Sequence, residues 1–191
     1  FANHPDPEIR AIAALFKTTS VQIHLMDAPQ AAAAYFGLRF HDGGVPPDLR
    51  NLIPVFIVDR KWIASLSSAQ TRNAMLILTH ECEHYKQWQR ATTTTEKLSF
   101  AMEASEEAAR IVLETWSVEQ ACTKWWMDES AAYAHQCHVL REWGITDVIE
   151  PLCRSVDTPQ WNSALFDHFN GRGPPPCQPT FARLADRPLP E

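Results

Sequence analysis

His80-Glu81-Cys82-Glu83-His84 places two imidazoles four residues apart, with a carboxylate directly after the first. In a helix, residues four apart share a face, so His80 and His84 can grip one metal ion. Glu81 lies about 100° further round the same helix, where it reaches a water on that ion. The apolar run Leu76-Ile77-Leu78 precedes the motif, and Tyr85-Lys86-Gln87-Trp88 follows it. The chemistry such a pattern serves is metal-assisted attack of water, which needs a third protein ligand and one coordination position left open.

Two sources of that third ligand are common. One is an extension of the motif with a glycine three residues after the second histidine and a histidine six after it; Gln87 and Arg90 stand at those positions and exclude it. The other is a glutamate on a following helix. The stretch from Glu96 to about Met127 has no Gly or Pro and is rich in Ala, Glu and Leu, which predicts one long helix folding back on the motif helix. After its first turn it offers Glu103, Glu106, Glu107, Glu114 and Glu119. On a helical wheel Glu119 falls among Ala108, Val112, Trp116, Cys122, Thr123 and Trp126, the middle of the apolar face. An unpaired carboxylate there is costly, so it requires a cation. Glu114 shares its side with Arg110, Ser117 and Lys124, where pairing one turn away accounts for it. The remaining three fall on or beside the polar face. Glu119 is therefore the expected third ligand and Glu114 the alternative; a buried, hydrogen-bonded or ion-paired carboxylate is the reading of Glu119 without a metal.

These residues resemble the zincin metallopeptidases, specifically the gluzincin arrangement of HExxH plus a downstream glutamate, over roughly Val55 to Met127. The resemblance implies a Zn2+ ion held by His80, His84 and Glu119, with Glu81 as general base. It implies a hydrolase, a zinc metalloprotease, in which water activated by zinc and Glu81 attacks a peptide carbonyl and Glu81 hands the proton to the leaving amine. It also implies that the strand before the motif helix, Val55 to Val58, aligns an extended peptide by edge pairing. The sequence departs from larger gluzincins in following Glu119 with Gln-Ala-Cys, without an Asp to orient a ligating histidine. Tyr133, His135, His138, His24 and His41 are candidates for a further donor to the oxyanion, and none enters the catalytic set.

The elements that must position these groups are legible in outline. The motif helix runs from N-caps at Ser65, Ser67 or Ser68 to Arg90 or Ala91. Met75, Leu78, Cys82 and Tyr85 form its core stripe, and Asn73, Leu76, His80, His84 and Gln87 its front. Before it, a helix at Pro5 to Lys17 is followed by a half-buried strand at Val21 to Met26 and a helical turn at Ala31 to Tyr35. Strands at Gly37 to Phe40 and Val55 to Val58 flank the loop His41 to Pro47. After the polar linker Ala91 to Thr95 and the long helix, further helices are expected at Ser130 to Trp143, Thr146 to Arg154 and Thr158 to Phe169. The expected class is α+β and mostly helical: a zincin-like domain over 1–172, its small N-terminal sheet packed on the HExxH helix, then a Pro-rich tail over 173–191 lying on the surface or disordered.

Composition limits the partners. The 191 residues carry a net charge of -6, 45% hydrophobic residues and seven tryptophans, enough for one core. With a pI near 5.7 and no Lys/Arg-rich stripe, nucleic acid is not an expected partner. No apolar run reaches the roughly 18 residues needed to span a bilayer, and the N-terminus shows no leader pattern. No membrane is implied, and both cytoplasmic and secreted locations stay open. Cys82, Cys122, Cys137, Cys153 and Cys177 are an odd set without a CxxC pair, which favours buried thiols; a bridge from Cys153 or Cys137 to Cys177 is the exception to look for. The expected partner is a protein or peptide substrate. Two other classes compete: a non-catalytic binding or regulatory module on a zincin scaffold, and a helical interaction protein presenting Trp116, Trp125 and Trp126.

Overall fold

A computed structural model describes residues 22–27, 34–40, 52–65, 71–102, 106–144, 149–169 and 177–185, together with Pro7, Arg10 and Ala14, which are helical. The other residues of the helix expected at Pro5 to Lys17, and the loop expected at 41–47, lie outside the described residues. The chain divides into two compact units, Phe1–Lys86 and Gln87–Glu191.

The first unit is built on a three-stranded sheet. Strands β1 (Gln22–Met26), β2 (Ala34–Phe40) and β3 (Leu52–Asp59) lie in the order β1-β3-β2, with β1 parallel and β2 antiparallel to β3. The β-branched and aromatic run of β3 makes it the centre, and Val55, Phe56 and Val58 are buried. This corrects two expectations. Ala34 and Tyr35 are extended residues of β2, not part of a helical turn. Both edges of β3 are already paired, so Val55 to Val58 cannot receive a peptide by edge pairing; the outer edges belong to β1 and β2. The alternation does form a strand, but not with its apolar positions buried as expected: in β1 Ile23 and Leu25 are exposed, at 54% and 46%, because they stand on an outer strand.

A short helix α1 (Arg60–Ser65) leads on, closed by the Ser65 hydroxyl donating to the Trp62 carbonyl oxygen at 2.7 Å. Helix α2 (Thr71–Arg90) then carries the motif and runs unbroken past Lys86 into the second unit. The expected core stripe is present: Met75, Cys82 and Tyr85 are buried, with Leu78 half-buried. Tyr85 meets the rings of Phe36 and Phe56 from the sheet, at centroid distances of 6.0 and 6.3 Å. The front is closed too, since Leu76, Thr79, His80, Glu81 and His84 are all buried.

In the second unit the predicted long helix is three helices. Thr93 caps α3 (Thr94–Ser99) through a capping box with Glu96, α4 spans Glu106–Thr115, and Ser117 caps α5 (Val118–Trp143) through a box with Gln120. Each cap satisfies amide groups that a helix start leaves without partners, so each marks a new axis. Helix α5 passes through Asp128-Glu129-Ser130, where a break was expected. It stops at Gly144, whose φ of 60° is the left-handed cap that glycine adopts without strain.

Helices α6 (Glu150–Cys153), α7 (Trp161–Phe169) and α8 (Gln178–Ala185) complete the unit. Within the tail, α8 is ordered secondary structure and contributes buried Thr180 and Phe181. Trp126 is buried against Phe169, a core residue, and the half-buried Trp125 stacks on Phe181 at 5.0 Å. Trp161 Nε1 donates to Ser130 Oγ at 2.8 Å. Disulfides join Cys122 to Cys177 and Cys137 to Cys153, correcting the expectation of buried thiols; Cys82 takes part in neither. Among the described residues, no helix is long and apolar enough to cross a membrane.

Candidate metal centre

The two histidines meet as the helical spacing predicts. His80 and His84 lie on one face of α2, their rings 4.7 Å apart and nearly perpendicular, and their Nε2 atoms 3.0 Å apart. Two imidazoles that hydrogen-bond must adopt opposite tautomers, one donating and one accepting. A metal ion instead takes the lone pair of both. Two nitrogens about 2.0–2.1 Å from a tetrahedral zinc stand about 3.3 Å from each other, so the observed separation needs only a few tenths of an ångström of adjustment.

Glu119 is not with them. Its Oε2 accepts from Thr180 Oγ1 at 3.1 Å and from the Arg183 guanidinium, both on α8. Glu119 is exposed and not on a buried apolar face as the wheel predicted, and the cation it pairs with is an arginine at the surface. The expected ligand is thus corrected, and the alternative falls as well: Glu114 pairs with Arg110 at the surface, as the one-turn spacing implied. Arg110 also draws in Glu107, whose carboxyl is held below the usual range by that bond.

The carboxylate that joins the histidines is Glu129, half-buried on α5. One ligand atom from each of His80, His84 and Glu129 lies within 4.8 Å of the others. Its placement can be followed along the chain. Gln87, on the same face of α2 as the histidines, donates through Nε2 to the Asp128 carbonyl oxygen at 3.0 Å. The last turn of α2 is thereby held to α5 one residue before Glu129. Glu129 falls between a helix expected to end near Met127 and one expected to begin at Ser130, so the sequence does not single it out. The capping box Ser117-Val-Glu-Gln120 is the signal available, since its N-cap resets the helical phase twelve residues before Glu129. Compared with protein-family models, curated proteins and solved structures, the chain matches none.

Glu81 has a partner in the sheet. Its Oε2 accepts the backbone N–H of Phe36 in β2 at 2.6 Å, with both residues buried. Of the other candidate residues, His138, Tyr133 and His24 have partners of their own. His138 meets Asp157 at 3.0 Å, Tyr133 lies edge-on to His168 and Phe169, and His24 contacts the Gln22 side chain. His135 is half-buried on α5, and His41 lies outside the described residues. Two imidazoles and one carboxylate are the donor set of a catalytic zinc with one position left open.

Proposed function

We propose that the chain is a zinc-dependent hydrolase of peptide bonds, with His80, His84 and Glu129 as metal ligands and Glu81 as general base. The observation that carries this reading is the His80–His84–Glu129 group, three ligand atoms of the right kinds within 4.8 Å. Burial of both histidines supports it, because a dry site strengthens every electrostatic interaction inside it. When bound, zinc supplies Lewis acidity, lowering the pKa of water and polarising a carbonyl. His80 and His84 offer neutral lone pairs, and Glu129 balances one unit of the ion's charge. Glu81, next to His80 on the helix, takes a proton from water on its carboxylate and returns it to the departing amine.

The test is metal content and hydrolysis measured together. Purified full chain is expected to carry near one zinc per molecule and to cleave unfolded protein, and Glu81→Gln to keep the zinc and lose cleavage. A wild-type protein that takes up no zinc would sink the reading.

One observation favours a second reading, a non-catalytic binding module on a zincin-like scaffold. Glu81 has a structural partner in the Phe36 amide, so its presence does not by itself require catalysis. Zinc binding without cleavage by the wild type would favour this module over the enzyme.

A further inference from the structure

The hydrogen bond between Glu81 and Phe36 uses the amide that peptide binding needs and draws on one oxygen, Oε2, of the carboxylate that catalysis needs, which lowers its basicity. Among the described residues, strand β2 is an outer strand of the sheet, paired only with β3. In an antiparallel pair, a residue directs its N–H and C=O both toward the partner strand or both away from it. The Phe36 N–H goes to Glu81, so Phe36 opposite Phe56 is a pair that directs these groups outward. By alternation, Ala34 and Leu38 do the same. Along this edge, Phe36 offers the amide that would bond a carbonyl oxygen of an added strand, and Glu81 Oε2 already sits on it at 2.6 Å.

We infer that Glu81 and an incoming extended peptide compete for the Phe36 amide, so that substrate binding itself releases the general base. This rests on the hydrolase reading above. In the resting protein the Phe36 N–H holds the carboxylate. When an extended chain lies along β2, that N–H passes to a substrate carbonyl oxygen, and the Glu81 carboxylate, relieved of that bond, takes a proton from water more readily. No bond is made or broken beyond this exchange of hydrogen bonds. A ligand too short to pair with β2 leaves Glu81 held. Proteolysis is thereby restricted to segments that can adopt a strand, and small amides are spared although they fit the metal.

The bond can be removed with the side chain kept, by placing 3-phenyllactic acid, the α-hydroxy analogue of phenylalanine, at position 36 so that an ester replaces the amide. Zinc-loaded full chain is compared, as wild type and ester variant, on a fluorogenic random decapeptide pool and on N-acetyl-dipeptide anilides. The ester is expected to raise kcat/KM for the anilides by roughly ten- to a hundredfold, the range of a hydrogen bond to a charged group. For the decapeptides it should raise KM. Unchanged or slower anilide turnover in the ester variant overturns the proposal and makes the Phe36 amide a positioning group. If zinc-loaded wild type cleaves neither substrate, the hydrolase reading fails, and the exchange is read by NMR on the wild type. The Phe36 amide proton then moves upfield on titration with the decapeptides if Glu81 is displaced; a fixed resonance under peptide saturation rejects the exchange.

Discussion

Gln87 donates through Nε2 to the main-chain carbonyl oxygen of Asp128 at 3.0 Å, fixing the last turn of α2 against the residue before Glu129. A side chain that bonds backbone, not another side chain, sets a helix register independently of the neighbouring residue types. Gln87 also stands where the longer zinc motif would have a glycine, so the position that excluded one ligand leads toward another.

Ligand identity separates two glutamates ten residues apart. Glu129→Ala is expected to lose bound zinc, and Glu119→Ala to retain it. The latter removes an ion pair whose side chains are about half exposed, 56% for Arg183 and 48% for Glu119, which costs at most about 1 kcal/mol. Gln87→Ala, lacking one neutral hydrogen bond worth about 1 kcal/mol, should weaken zinc binding several-fold without abolishing it. Plasma emission analysis and chelator competition measure all three.

Glu81 should show a split between folding and chemistry. Glu81→Gln retains an acceptor for the Phe36 N–H and is expected to unfold close to wild type. Glu81→Leu leaves that buried N–H unsatisfied and should cost about 1–3 kcal/mol. Urea midpoints that coincide for the two variants would remove the structural role assigned to this bond.

Acid should act on the start of α3. Backbone amides of Thr93 and Thr92 hold the Glu96 carboxyl down to about 2, against an ordinary value of 4.5. A folded pKa below the unfolded one stabilises the protein above pH 4.5 and loses that contribution as pH falls toward 2. Glu96→Gln should therefore reduce the difference in thermal midpoint between pH 5 and pH 2.5 in wild type, with little effect on the sign of other transitions.

The crosslinks set a larger stability term. Closing a loop of 55 residues between Cys122 and Cys177 is worth about 4 kcal/mol in chain entropy, and the 16-residue separation of Cys137 and Cys153 about 3. The double variant Cys122→Ser/Cys177→Ser should lower stability by up to that amount. It should also expose α8 to proteolysis, because Phe181 is held at 1% exposure beside the bridge.

Local signals in the sequence carried most of the first unit. The β-branched run at Val55 to Val58, the alternation around Ile23, and the stripes of α2 each follow from a period of two or 3.6 residues. His80 and His84 were legible for the same reason, since one turn of helix brings them together. The third ligand depended on phase carried through Trp116 and Ser117, and an unbroken wheel accumulates error where a capping box restarts the helix. Sheet order was hidden because nothing within β3 says which strands will flank it. The cation for Glu119 lies 64 residues away, and the cysteine pairs likewise depend on tertiary proximity that spacing alone does not encode.

Both disulfides fall within residues 122–177, and among the described residues none lies in 1–86. A thiol reductant therefore acts on one half of the polypeptide while the helix bearing His80 and His84 contains no bond it can cut. In oxidising surroundings the later half is stapled; in reducing ones it must hold by packing alone. The same gene product would thus differ in durability from one compartment to another, with the contrast confined to the part that supplies Glu129.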